Sequence, residues 1–198
     1  MTDPTKSWEY VLEIALEQML KDPAILGPFH TKEHVKDTPR RVVKAYKDFF
    51  RGALEDPEKI LTTSFHKEKY DEVVIVSNIE FTSFCAHHLL PFMGQVHFGY
   101  MPDEHIVGLS KIPRLINALS RRLQVQEKLS AEIVDIFFNL VKPKGCGVVV
   151  EAEHTCMSVR GVEKKGAITE TTALRGNFQQ ASMKSEFLAQ IAPRKGKR

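Results

Sequence analysis

The chain has 198 residues, 42% of them apolar and 27% charged, the balance of an ordinary globular domain, which excludes a disordered chain and a disulfide-stapled mini-protein. Its formal charge of +3 falls to −1 once Arg194, Lys195, Lys197 and Arg198 are set aside, so the basic character is read as a solvated terminal tail and no nucleic acid is expected as partner. The first residues lack the pattern of an export signal, no stretch has the length of a membrane span, and three irregularly spaced cysteines, Cys85, Cys146 and Cys156, suit a reducing compartment, so the expected setting is the cytoplasm.

Along the chain, Ser7 is placed to cap a helix in which Trp8, Val11, Leu12, Ala15 and Met19 recur at helical spacing. A second helix is expected from Asp37-Thr38-Pro39, a capping residue followed by proline in the first turn, through Val42, Val43, Tyr46, Phe49 and Phe50 to Gly52. Residues 1–65 therefore read as an N-terminal helical arm. At Val73-Val74-Ile75-Val76 the texture becomes β-branched, giving a strand that ends near Asn78, and Val96, Phe98 and Tyr100 share one face of the next extended piece. Helices are expected from Ser110 and over about 125–141, the latter with Val125, Leu129, Ile133, Phe137 and Leu140 on one stripe. Strands over 147–154 and about 167–174 and a helix over 182–191 complete a unit spanning 66–192, with 193–198 as a basic flexible tail. The order predicts an α+β fold: a four-stranded antiparallel sheet with two helices on one face. Its two exposed edges favour association with further copies.

Ligand-type side chains are densest at Cys85-Ala86-His87-His88. On extended backbone Cys85 and His87 would share a face and His88 would point away, so gathering them requires a turn. His154-Thr155-Cys156 reads as the continuation of a strand, with imidazole and thiol on the same side. Sulfur with imidazole is the donor set zinc prefers, although buried thiols and hydrogen-bonded histidines would produce the same residues without metal. Two thiolates and one imidazole leave a fourth position for water, whereas recruiting His87 or His154 as well would close a structural site. Cys146, between two glycines, reads as a core thiol.

In Gly108-Leu109-Ser110-Lys111-Ile112-Pro113-Arg114, Ser110 suits a helix cap, and Lys111 and Arg114 fall on one face near a positive helix end. That is either a phosphate site or a solvated basic turn, and with no P-loop in the sequence any nucleotide phosphates must be held by side chains. Glu127, in Leu123-Gln124-Val125-Gln126-Glu127, complements the dipole at the start of the long helix or accepts two parallel donors such as those of guanine.

Taken together, Cys85-Ala86-His87-His88-Leu89-Leu90-Pro91, Gly108-Leu109-Ser110-Lys111, Arg121-Arg122-Leu123-Gln124-Val125-Gln126-Glu127 and His154-Thr155-Cys156 resemble GTP cyclohydrolase I over roughly residues 35–190. The resemblance implies conversion of GTP and water to formate and 7,8-dihydroneopterin triphosphate, the entry step of folate or tetrahydrobiopterin synthesis. It also implies the tunnelling fold, in a homo-oligomer built as a decamer of two pentamers with active sites shared between subunits. By the same resemblance Cys85, His88 and Cys156 hold Zn2+, and His87 and His154 transfer protons. Ser110 lies near the ribose, Glu127 with Gln126 holds guanine, and Lys111, Arg114, Arg160 and a neighbouring subunit's Arg41 meet the triphosphate. Many family members carry Glu where this chain has Ala86, which bears on any hydrogen bond that position makes to the metal ligands. Two further readings fit the residues: a related tunnelling-fold enzyme acting on another purine or pterin, and a non-catalytic protein with a closed structural zinc.

Overall fold

Helical periodicity at the start of the chain and β-branched runs beyond residue 70 sort into two compact units, Met1–Phe50 and Arg51–Arg198. The computed structural model describes residues 7–27, 32–62, 64–66 and 70–192; the basic tail expected at 193–198 lies outside them. The first unit contains α1 (Trp8–Met19), α2 (Pro23–Leu26), α3 (Lys32–Val35) and α4 (Thr38–Phe49). Ser7 caps α1 as expected, accepting a hydrogen bond from the Tyr10 N–H at 3.2 Å. Asp37 behaves differently: its carboxylate makes no cap bond to α4 and instead lies 3.6 Å from the Arg41 guanidinium one turn on. Lys47 of α4 pairs with Glu9 of α1 at 3.0 Å, and Val43 is buried.

The second unit runs α5 (Pro57–Ile60), β1 (Ser64–His66), β2 (Val74–Cys85), β3 (Pro91–Met101), β4 (His105–Val107), α6 (Lys111–Ser120), β5 (Leu123–Gln124), α7 (Gln126–Val141), β6 (Gly145–His154), α8 (Thr155–Ser158), β7 (Ile168–Gly176) and α9 (Ala181–Ile191). This is an α+β arrangement, but the main sheet has five strands among the described residues, in the order β5-β2-β3-β6-β7, rather than the four expected. The addition is β5, only two residues long and thus without periodicity of its own. It lies parallel to the end of β2, with Phe84 opposite Leu123 and Cys85 opposite Gln124. A small second sheet pairs β1 with β4.

Strand β2 also outlasts its predicted end at Asn78. The pairing with β3 slips between Val76 and Ile79, where Asn78 takes a positive φ of 58° and its N–H points at His97 Nδ1, 3.4 Å away. The bulge absorbs the asparagine, and the strand continues to Cys85.

Alternation along the strands gives the sheet two apolar faces. Phe92, Val96, Phe98, Tyr100, Val148 and Val150 pack against Leu115, Ile116 and Leu119 of α6 and Leu129, Ile133 and Phe137 of α7, all essentially excluded from solvent. Each such side chain is worth about 1.5–3 kcal/mol of transfer free energy. On the opposite face Val73 and Val149 meet Phe178 and, from α9, Phe187 and Ile191. Helix α9 comes this close because Gly99 and Gly147 present no side chain; a Cβ on Gly99 would lie 2.8 Å from the Phe187 ring. Arg175 of β7 ties the sheet to α7 through Asp135 at 2.6 Å.

Candidate active site

The end of β2 and the end of β6 lie side by side across β3, since Phe92 pairs with both Ser83 and His154. Chemistry gathers there because both strands stop at that point. After Cys85 the chain turns: the N–H groups of His88 and Leu89 donate to the Cys85 carbonyl at 3.2 and 2.9 Å, and the Cys85 N–H closes the loop onto Leu90 at 2.9 Å. Leu89 takes a φ of 54° to complete the return into β3. This is the turn the sequence required. It leaves Ala86, His87 and His88 exposed while Cys85 is buried. The Cys85 Sγ sits 3.6 Å from His88 Nδ1 and 3.9 Å from His87 Nδ1.

His154-Thr155-Cys156 does not continue as a strand. Strand β6 ends at His154 and the chain coils into α8, so Cys156 reaches the site from a helical turn rather than from the same strand face as His154. The Thr155 hydroxyl fixes this departure by donating to the Pro91 carbonyl at 2.6 Å. Cys85, His88 and Cys156 thereby offer three donor atoms all within 4.8 Å of one another, and among the described residues the group stops at three. Tetrahedral bonds of about 2.3 Å to sulfur and about 2.0 Å to nitrogen separate the two donors by roughly 3.5 Å, so the Cys85–His88 spacing fits a zinc ion. Burial raises the Cys156 thiol pKa above its ordinary value, and the neighbouring Cys85 raises it further. Metal-free, the Cys156 thiol therefore favours the protonated form; a cation bound there would reverse that preference.

His154 is partly buried, its ring stacked on Phe92 at 4.6 Å and 4°. Burial lowers its pKa below the ordinary imidazole value, against a smaller upward pull from the Glu127 carboxylate. Gln126 and Glu127 open α7 and part company at once. Glu127 is exposed; Gln126 is 2% exposed, and its side-chain amide bonds to Val150, Thr169, Thr171 and His154. The sequence held a signal for this: Gln126 falls three residues before Leu129 and seven before Ile133, on the buried stripe of the helix. Thr171, Ser130 and Phe92 escaped attention because a threonine on an alternating strand, a serine inside a helix and a core phenylalanine carry no motif.

Ser110, Lys111 and Arg114 sit at the start of α6, with Ser110 in αR backbone and no cap bond from its hydroxyl. They make no side-chain hydrogen bond or ion pair to the cysteine cluster among the described residues, although Ser110 and Arg114 are exposed. Arg160, just after α8, is exposed and acts electrostatically on Cys156. Arg41 lies on α4 of the first unit, largely exposed and paired with Asp37. Arg122, from the same stretch as Gln126, is structural: it donates to the carbonyls of Gly52, Ala118 and Glu55 at 2.9, 3.0 and 3.1 Å.

Residues 13–192 match the family model described as GTP cyclohydrolase I. Among curated relatives, a protein named GTP cyclohydrolase 1 from Wolinella succinogenes is 43% identical over 181 residues, 90% of this chain and 97% of its own. One from Porphyromonas gingivalis is 44% identical over 172 residues, 87% of this chain and 89% of its own. A third, from Chlorobaculum tepidum, is 48% identical over 167 residues, covering 84% and 75%.

Proposed function

The chain belongs to the GTP cyclohydrolase I family, and we propose that Cys85, His88 and Cys156 hold its zinc ion while His87 and His154 move the protons of the reaction. Its activity is the conversion of GTP and water to formate and 7,8-dihydroneopterin triphosphate. The observation that carries the proposal is the meeting of three soft and borderline donors from two distant segments at one sheet end. When bound, the zinc supplies a Lewis acid with one open position, which lowers the pKa of water there towards neutrality.

The remaining work falls to side chains. Water adds at C8 of the guanine, and opening the imidazole ring requires a proton at nitrogen as the hydrated carbon loses its bond. His154 and His87 flank the donors, and an imidazole nitrogen can both accept and donate a proton, so they give and take those protons. Glu127, exposed at the start of α7, accepts from the guanine N1–H and 2-amino group. Lys111, Arg114 and Arg160 bind the triphosphate, Ser110 lies near the ribose, and Arg41 completes the phosphate site from a neighbouring copy.

A shared site is supported by the exposure of His87 and His88 in a single chain and by the edges of the sheet. Strand β7 forms one edge, and β5 covers only Phe84 and Cys85 of β2, leaving most of β2 as the other. Joining such edges between copies gives the closed sheet of the tunnelling fold, assembled as a decamer of two pentamers. Among the described residues no helix is long and apolar enough to cross a membrane, and the free thiols suit a reducing cytoplasm. Incubating zinc-loaded protein with GTP and assaying formate together with a fluorescent pterin after oxidation tests the function. Absence of both products overturns it.

A further inference from the structure

The side-chain amide of Gln126 is held so that only one orientation satisfies its surroundings. Its Nε2 donates to the carbonyls of Val150 and Thr169, each at 3.0 Å, and lies 3.2 Å from Thr171 Oγ1. Carbonyls only accept, so this end of the amide must be the NH2; a flip would set Oε1 against two other oxygens in a site 2% exposed. Two hydroxyls reinforce the choice. Ser130 Oγ donates to the Gln126 main-chain carbonyl at 3.0 Å, and Thr171 Oγ1, 2.6 Å from Ser130 Oγ, donates to it and turns its lone pairs towards Gln126.

Gln126 Oε1 then faces His154 Nε2 at 2.7 Å, and a carbonyl oxygen can only accept. The hydrogen of the neutral imidazole is therefore on Nε2, and its lone pair is on Nδ1. Phe92, parallel to the ring at 4.6 Å, fixes the plane in which that lone pair lies. We infer that Gln126, locked by Val150, Thr169 and Thr171, is a positioning residue that selects the Nε2–H tautomer of His154, making Nδ1 the atom that exchanges protons with substrate. The inference rests on the reading of His154 as a proton-transfer group, and it assigns Gln126 to the histidine rather than to guanine.

The test uses the zinc-loaded full-length chain with 15N-labelled histidine. NMR of the wild type is expected to show His154 with hydrogen on Nε2 and an unprotonated Nδ1. Gln126→Met removes the acceptor; a mixture of tautomers is expected, with kcat down about 10- to 100-fold and KM within about threefold. Thr171→Val leaves both carbonyl anchors, so the Nε2–H form should persist with kcat down less than about tenfold. An Nδ1–H wild-type spectrum overturns the inference. So does a Gln126→Met enzyme with raised KM and unchanged kcat, the signature of a guanine contact. Should Gln126→Met not fold, the wild-type and Thr171→Val spectra decide. Loss of the GTP reading itself appears separately, as wild-type protein that releases no formate while its tautomer is still read by NMR.

Discussion

Cys146 is the second residue of β6, and Cys156 follows the same strand's last residue by two. At the first position the thiol is fully buried between the sheet and α7, 3.7 Å from the Val134 carbonyl, and burial pushes its pKa up to about 12. At the second the strand has ended and α8 has begun. There the thiol is partly exposed and shares its space with a second thiol and an imidazole. Both pKa values are raised, yet the consequences are opposite. A lone thiol among apolar groups simply stays protonated, whereas paired thiols beside a nitrogen donor can be deprotonated by a cation that binds all three. Reactivity along β6 is thus set by where regular structure stops.

The harshest test of this contrast is Cys156→Ala. It should abolish zinc binding and turnover together, measured by metal content after dialysis and by formate release; full retention of zinc would break the comparison. In the wild type, loading takes at least the Cys156 proton. The raised thiol pKa means zinc competes with that proton throughout the neutral range, so apparent affinity should rise about tenfold per pH unit for this thiol alone. An indicator titration should show proton release on zinc addition, and its absence would mean the thiol is not a ligand.

His154→Ala sharpens the boundary between ligand and proton carrier. Zinc and GTP binding should survive while kcat falls on the order of 10²- to 10⁴-fold. Equal loss of zinc in this variant and in Cys156→Ala would make His154 a ligand and close the site.

The outline of this arrangement was legible in the residues, and its geometry was not. Helical and β-branched periodicity marked α1, α4, α7, β6 and the α+β order, and the short motifs held Cys85, His88 and Cys156, which the fold brings within 4.8 Å of one another. Period-two reasoning failed where the strands end. It put Cys85 with His87 only for extended backbone, and the turn already required there brings His88 nearer to Cys85, at 3.6 against 3.9 Å. It also kept His154 and Cys156 on one strand face where a helical turn intervenes. Strand β5 could not be seen because two residues carry no period, and the length of β2 was hidden by Asn78, a residue that in isolation favours a turn. Gln126 and Glu127 are adjacent in sequence, yet one step along a helix rotates a side chain by about 100°, so the first is buried and the second exposed.

A weaker effect is expected at Glu127, the residue proposed to hold the guanine by hydrogen bonds alone. Glu127→Ala should raise KM for GTP about 10- to 100-fold and relax selectivity for guanine over other purines, the loss expected when charge-assisted bonds disappear. Steady-state kinetics with GTP and ITP check it, since ITP lacks the 2-amino donor; an unchanged GTP-to-ITP ratio would remove Glu127 from recognition.

The smallest effect belongs to the other end of β6. Cys146→Ala removes one sulfur from a fully buried position, and no group is orphaned, because Val134 lies inside α7 and its carbonyl keeps the helix bond. What remains is a cavity smaller than a methionine or leucine truncation leaves, so a loss of roughly 1 kcal/mol in unfolding free energy is expected, read from a denaturant midpoint. Zinc content and kcat should match the wild type, because β6 still delivers His154 and Cys156 to the same place. The neighbouring change Gly147→Ala strains the same region in the opposite sense, its Cβ meeting Leu174 at 2.6 Å and Phe178 at 2.9 Å. It too should cost stability, about 1–3 kcal/mol, without touching the metal. If either variant lost zinc selectively, the two ends of the strand would be coupled, and the division between a packed end and a reactive end would fail.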